Sequence, residues 1–429
     1  MTGTTRVTAA IVLSLFVAHP ATSQASRTDG SELAASIDRY LSPLLEEGQL
    51  SGVLLVARGD RVLYEKAWGK ADYELGVPNT PATVFNVASV TKPMTQIAAA
   101  TMLNQGIVSL DESIAKWIPD FPKGDVITLS MLLRHRAGIP HRLTEPSDEV
   151  VPRTAADMVE LAKKAAFDFE PGTSNNYSSG GYSVLARILE LAANEPYEKI
   201  LEDVVFKPAG AVHSVHPAGR KLIENRAQSY YQGGDGPIPS DLKNLSFLVG
   251  AGSVYSTARD LFLIQRTLMT GGYGEEVRDM LLGDRNPRWN GYTNGYRAFV
   301  DYDRETDVTI SFVGNIFNGA GNLLREALPK IVAGETIELP TIPDVDAIMM
   351  TTAQMSELEG NFSLRGDPTE FRFLSPDLAM FGTWVMIPIG SDKFYSPQDY
   401  AIVTIARNED GSVEALDWGG GMTFEKIKR

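Results

Sequence analysis

A serine and a lysine three residues apart form the pattern with the most direct chemistry in this chain. On a helix, residues i and i+3 share a face one turn apart, so Ser-x-x-Lys sets an amine beside a hydroxyl. Burial disfavours the charged amine and lowers its pKa from the free value of about 10.4, and a neutral amine can take the hydroxyl proton. The pattern itself is common: ordinary residue usage gives roughly one or two copies in a chain of this length. Three occur, at Ser89-Val90-Thr91-Lys92, Ser113-Ile114-Ala115-Lys116 and Ser240-Asp241-Leu242-Lys243. Ser113 follows the acidic pair Asp111-Glu112 and reads as a turn or cap, whereas Ser240 follows Pro237-Ile238-Pro239 in a polar loop. Only Ser89 stands between an apolar approach, 84–88, and a long helical pattern with Pro93 in its first turn. Ser89 is therefore the candidate nucleophile and Lys92 its first proton acceptor. The start of that helix also presents N–H groups to a developing oxyanion.

Four ordered stretches resemble the serine β-lactamase and penicillin-binding-protein superfamily, in particular its class C and carboxylesterase-like branch. They are the nucleophile segment 83–93, the loop Leu132-Leu133-Arg134-His135-Arg136-Ala137-Gly138-Ile139-Pro140, Pro171-Gly172-Thr173 with the following 177–182, and the framework segment 252–261. The likeness covers about residues 30–335. It implies that Tyr177 is the second-motif tyrosine, exchanging protons with the Ser89 hydroxyl and the leaving group. It also implies an oxyanion hole made by the backbone N–H groups of Ser89 and Tyr292. His135 is expected to hold its loop rather than to catalyse.

Two departures from the family pattern bear on substrate choice. Ser179 stands where the family usually has asparagine, and its shorter side chain is expected not to span the same gap. The third motif maps best onto Trp289-Asn290-Gly291-Tyr292, with Trp289 in place of a basic residue. Ser179, Trp289, Asn290 and Gly291 are thus the candidate substrate-binding residues. An indole has one N–H and no charge, so it is expected to offer stacking area rather than to hold a substrate carboxylate. Arg297 would restore a cation if it pointed inward. The expectation is an esterase or amidase working through an acyl-enzyme. The alternatives are a D-amino-acid-directed peptidase or β-lactamase, an acyltransferase or peptide cyclase on the same scaffold, and a non-catalytic binding protein that kept the fold.

The elements that must position these residues follow from periodicity and breakers. Residues 32–45 read as an amphipathic helix, and 52–65 as a hairpin turning at Gly59-Asp60. Helical patterns cover 91–104, 129–134, 180–193 and 257–269, and strand character returns over 296–316. Together with the resemblance, this predicts an α/β (α+β) β-lactamase/transpeptidase-like domain over 26–340, its antiparallel sheet built from both ends and flanked by helices. A linker at 341–350 leads to short strands at ten-residue spacing over 351–429, predicting a small all-β, lipocalin-like barrel.

Composition excludes several function classes. The sequence has 429 residues, no cysteine and a net charge of −15. Disulfides and thiolate chemistry are therefore ruled out, and nucleic acid is not an expected partner, because phosphate contacts need a basic face. No cofactor and no metal is expected; His213 and His216 lie in a loop without a ligand set. Residues 1–25 read as a signal peptide: Arg6, an apolar run too short to span a membrane, and a small-residue exit. A periplasmic or secreted bacterial enzyme with no integral membrane segment after processing is expected. Its partner would be a small-molecule or peptide-like acyl substrate; the sequence leaves the oligomeric state open.

Overall fold

The computed structural model describes residues 30–217, 221–364 and 367–427. The expected signal peptide lies outside the described residues. Helix α1 (Gly30–Glu46) leads into β1 (Gly52–Arg58) and β2 (Arg61–Trp68), which turn through Gly59 at a φ of +56°. Then follow α2 (Thr91–Asn104), α3 (Ser179–Ala193), the hairpin β3 (Tyr230–Gly233) and β4 (Gly236–Pro239), and α4 (Ala258–Met269). The domain closes with β5 (Arg288–Thr293), β6 (Tyr296–Asp303), β7 (Val308–Gly314) and α5 (Ala320–Val332).

Five of these strands form one antiparallel sheet in the order β2-β1-β7-β6-β5. The N-terminal hairpin meets the C-terminal strands through β1 and β7, from Gly52↔Gly314 to Arg58↔Val308. Side chains alternate across a strand, and both faces of β1 are buried. Val53, Leu55 and Ala57 face the helices α2, α3 and α4, while Leu54 and Val56 face α1 and α5. The long apolar run at 53–57 is thus the signature of a central strand covered on both sides.

The C-terminal part is a closed eight-stranded up-and-down barrel, β8 (Gly360–Leu364), β9 (Asp367–Ser375), β10 (Leu378–Phe381), β11 (Trp384–Gly390), β12 (Lys393–Ser396), β13 (Ala401–Arg407), β14 (Val413–Asp417) and β15 (Thr423–Lys426). Its interior is filled by Phe362, Phe371, Phe381 and Phe394, each at most 1% exposed. A barrel of this size has room for side chains, and here they occupy it. The segment before it is tied to the barrel wall: Ile348 N–H donates to Pro388 O and Met350 N–H to Pro376 O, both at 2.8 Å. On its outside, Met380, Val385, Ile387 and Tyr395 pack against Tyr231 of β3, so the barrel is docked on the first domain through an apolar patch.

Candidate active site

Ser89 sits on a single 3-10 turn, Ala88–Val90, that runs directly into α2. The turn is held by its approach. Asn86 Oδ1 accepts the Ala88 N–H at 2.8 Å, and Asn86 Nδ2 donates to Gly252 O at 3.1 Å. Ala88 adopts a φ of +48°, a left-handed conformation costly for a residue with a Cβ. Strain of this kind persists where surrounding contacts over-determine it. Here they come from 252–256, because Val87 N–H donates to Val254 O and Phe85 pairs with Ser256. The framework segment thus aims the serine.

Lys92 is buried, and burial lowers its pKa from 10.5 to about 7. Its Nζ lies 3.4 Å from Ser89 Oγ, 3.2 Å from Ser179 Oγ and 3.0 Å from Ala251 O. A neutral amine has two N–H donors and one lone pair. With the donors given to Ser179 Oγ and Ala251 O, the lone pair is left for the serine proton. Ser179 reaches the lysine despite its shorter side chain, which corrects the expectation that it would not span the gap. The reason is that Ser179 opens α3, whose first turn lies against Lys92, as the 3.2 Å contact records. The other two Ser-x-x-Lys copies are engaged elsewhere: Ser113 caps a turn through Ala115 N–H, and Lys243 pairs with Glu149 at 2.7 Å.

Tyr177 Oη donates to Ser89 Oγ at 2.8 Å, and the Lys92 ammonium position stands 4.5 Å above the Tyr177 ring. The tyrosine lies in the loop before α3, whose N-cap Ser178 accepts the Gly181 N–H. Two imidazoles anchor that loop. His135 Nδ1 accepts the Ser178 N–H at 3.2 Å and His141 Nδ1 accepts the Ser179 N–H at 3.3 Å, and both rings pack on Tyr177. Burial, then the charge at Lys92, lowers each histidine to about 4, so both are neutral acceptors near pH 7. His141 was not singled out by the sequence reading; a second histidine six residues after His135 was its one signal.

Strand β5 is the free edge of the sheet and runs beside the Ser89 turn. Gly291 faces that turn so closely that a Cβ there would lie 2.7 Å from Ser89 N and 2.6 Å from Val87 O. The β5–β6 hairpin turns through Asn294-Gly295, both at positive φ, with Thr293↔Tyr296 as the closing pair. A two-residue turn makes the closing pair hydrogen-bonded, so the next pair, Tyr292↔Arg297, is not. The Tyr292 N–H therefore points away from β6 to the free edge, the side on which the Ser89 turn lies.

Alternation along β5 separates the other third-motif residues. Trp289 shares the face of Gly291 but is only 7% exposed and belongs to the hydrophobic core, lining a second cavity with Pro93, Gln96 and Arg134. It does not supply the open stacking surface expected of it, because the indole fills space between the sheet and α2. Asn290 and Arg297 lie on the opposite face of the sheet, where they bond to each other. Neither lines the cavity to which Tyr292, on that same face, contributes, so Asn290 is not a contact residue there and Arg297 does not supply that cavity with a cation.

From Ser179 and Tyr292 opens a cavity of about 260 Å³. Its walls are mixed: Tyr231, Phe247, Phe317 and Trp384 stand beside Tyr292 on one part, and His141, Arg142, Glu149 and Lys243 bring polar and charged groups to another. Tyr292 stacks on Phe317 at 5.0 Å with an interplanar angle of 10°. Thr383 and Trp384 come from the β10–β11 turn of the barrel, so the C-terminal domain forms one wall. Among the described residues no cluster of three or more histidine, cysteine or acidic side chains can hold a metal, and no helix is long and apolar enough to cross a membrane.

Comparison with known proteins agrees with this architecture. The esterase EstB of Burkholderia gladioli is 31% identical over 201 residues, covering 42% of this chain and 51% of that protein. The matched part spans 42–61% of the length of the curated relatives of this kind. The D-amino acid amidase of Ochrobactrum anthropi SV3, solved with D-phenylalanine, superimposes with a TM-score of 0.64 at 22% identity, over 71% of this chain and 99% of that one. SurE superimposes with a TM-score of 0.61 at 19% identity over 93% of this chain and 100% of that one, a likeness in fold that extends into the barrel. Residues 37–265, more than half of the sequence, match the Beta-lactamase family, and the chain belongs to that family.

Proposed function

We propose that this chain is a serine hydrolase that transfers the acyl group of an ester or amide to Ser89 and then to water. The observation that carries the reading is the buried Lys92, whose pKa is lowered to about 7, so that a large share of its amine is neutral near pH 7, 3.4 Å from Ser89 Oγ. Ser89 Oγ attacks the carbonyl carbon while its proton moves to Lys92 Nζ. The N–H groups of Ser89 and Tyr292 hold the oxyanion. On collapse, Tyr177 gives its proton to the leaving group, and the Lys92 ammonium over the ring stabilises the phenolate left behind. Water then attacks the acyl-enzyme, returning a proton to Tyr177, while Ser89 leaves with the proton held by Lys92.

The cavity bears on substrate. The third-motif position carries no cation, and Tyr231, Tyr292, Phe317 and Trp384 offer the cavity stacking area, which favours an apolar or aromatic group on the substrate, while Arg142 and Lys243 on the same cavity are shared with Glu149. A relative of this chain is named an esterase, and a protein of like fold is a D-amino acid amidase. Turnover of a p-nitrophenyl ester by the wild type and by Ser89→Ala tests the proposal. Loss of turnover with Ser89→Ala is expected, and equal rates end it. Action outside the cytoplasm, from the 1–25 segment, is part of the proposal and is checked by fractionation of producing cells.

A second reading comes from two proteins of like fold, the D-amino acid amidase, which is solved with both D-phenylalanine and L-phenylalanine amide, and SurE, solved with D-Leu. On it, the acyl donor is a D-amino acid amide or peptide. Parallel assays with the D- and L-forms of one phenylalanine amide decide it, because equal turnover of both removes the support.

A further inference from the structure

Arg297 is a buried cation whose surroundings oppose its charge. It is 4% exposed, and among the described residues no carboxylate forms an ion pair with it. The carboxylate on its own face of β6, Asp301, is taken by Arg325, with both contacts at 2.7 Å, and by Arg288 at 3.2 Å. Arg297 Nη2 donates to Asn322 Oδ1 at 2.8 Å, in the first turn of α5, where the helix dipole is positive. Its Nε has no hydrogen-bond partner. Burying a charge without an ion-pair partner costs free energy, and packing alone would be served by an uncharged side chain of similar volume. A guanidinium held there at a cost calls for a use.

The use follows from its other contacts. Arg297 Nη1 donates to Asn290 Oδ1 and lies 3.4 Å from Gly291 O. That carbonyl oxygen and the Tyr292 N–H are the two ends of one planar, conjugated peptide unit. A cation on the oxygen draws electron density through the unit and makes the N–H a stronger donor. The Tyr292 N–H is the one that the hairpin register turns toward Ser89. The charge is thus applied to the oxyanion hole from behind the sheet, without entering the cleft.

We infer that Arg297 is a positioning residue for acyl transfer, polarising the Gly291–Tyr292 peptide so that its N–H binds the oxyanion more strongly. The inference rests on Ser89 as nucleophile. Its test compares wild type, Arg297→Met and Asn322→Asp. The second variant keeps the arginine and nearly its shape but sets a carboxylate against it, so the charge is neutralised even if Arg297→Met fails to fold. Two readouts are taken: kcat and KM for a p-nitrophenyl ester, and the infrared carbonyl stretch of the acyl-enzyme trapped with a slowly deacylating ester. Both variants are expected to lower kcat by about tenfold, short of the roughly 10²–10³ lost when a donor is removed outright, with KM little changed. The acyl carbonyl band moves to higher wavenumber in both, which a merely structural role would not produce. Wild-type kcat and band position in whichever variant folds would overturn the inference. A wild type that forms no acyl-enzyme at Ser89 would instead overturn the functional reading beneath it.

Discussion

Gly291 stands against the amide nitrogen of Ser89, so that a methyl group on its Cα would lie 2.7 Å from that nitrogen. This contact joins the sheet edge to the nucleophile turn and brings the two backbone donors, Ser89 N–H and Tyr292 N–H, to one place. Gly291→Ala must push β5 away from the turn. Turnover is expected to fall by about 10²–10³, the loss typical of an oxyanion-hole donor, while circular dichroism stays that of the wild type. Unchanged turnover would show that the two donors do not act together.

The proton acceptor sets the pH profile. On the proposed mechanism kcat/KM requires neutral Lys92 in the free enzyme, so the rate is expected to rise with pH through about 7 and to level above it. His135 and His141 are already neutral there and add no limb in that range. The folded pKa of Lys92 lies below its ordinary value of 10.5, so between about 7 and 10.5 the unfolded chain binds more protons and stability rises with pH. Thermal melts across that window should show a gain in the wild type that is smaller in Lys92→Met. A flat profile in both assays would contradict a depressed lysine.

Ser179 Oγ takes one of the two amine hydrogens of Lys92. Ser179→Ala leaves a buried N–H without its acceptor, at a cost of about 1–3 kcal/mol, and frees the amine to turn from Ser89. The expected result is a kcat lowered by about tenfold, with the rising limb of the pH profile displaced from that of the wild type. Steady-state kinetics over a pH series measures both, and an alanine variant with wild-type kcat would remove Ser179 from the machinery.

The barrel contributes Trp384 to the cavity wall. Trp384→Ala should lower kcat/KM by about tenfold for esters with a bulky aromatic acyl group, in the range that loss of apolar pocket contacts costs. Acetyl esters, too small to reach the barrel, should be turned over as before. Equal losses on both series would mean that the substitution acts by undocking the barrel rather than by reshaping the pocket.

The local signals were sufficient for much of this. The apolar run at 53–57, the Gly59-Asp60 turn and the ten-residue strand spacing after 351 each express a short-range rule that the folded chain obeys. The flanks that single out Ser89 among the three serine–lysine pairs are equally local: the structure has the short 3-10 turn and the helix start where the apolar approach ends. Side-chain length alone does not set the reach of Ser179, which depends on where the first turn of α3 lies against Lys92.

What lay beyond the sequence were the quantities set by distant parts of the chain. Whether Trp289 meets substrate or core depends on the gap between β5 and α2, and whether Arg297 faces the cleft depends on which face of β6 it occupies. The wall formed by Trp384 depends on a docking patch between Tyr231 and residues more than 140 positions later. Residue type and spacing determined that the Ser89 hydroxyl and the Lys92 amine lie one turn apart, because that relation is local, whereas Tyr177 reaches Ser89 only through the fold. Only the tertiary structure decided how deep the lysine is buried, which N–H faces the serine and what the pocket admits, because each of these is a distance between elements that meet only when the whole domain has folded.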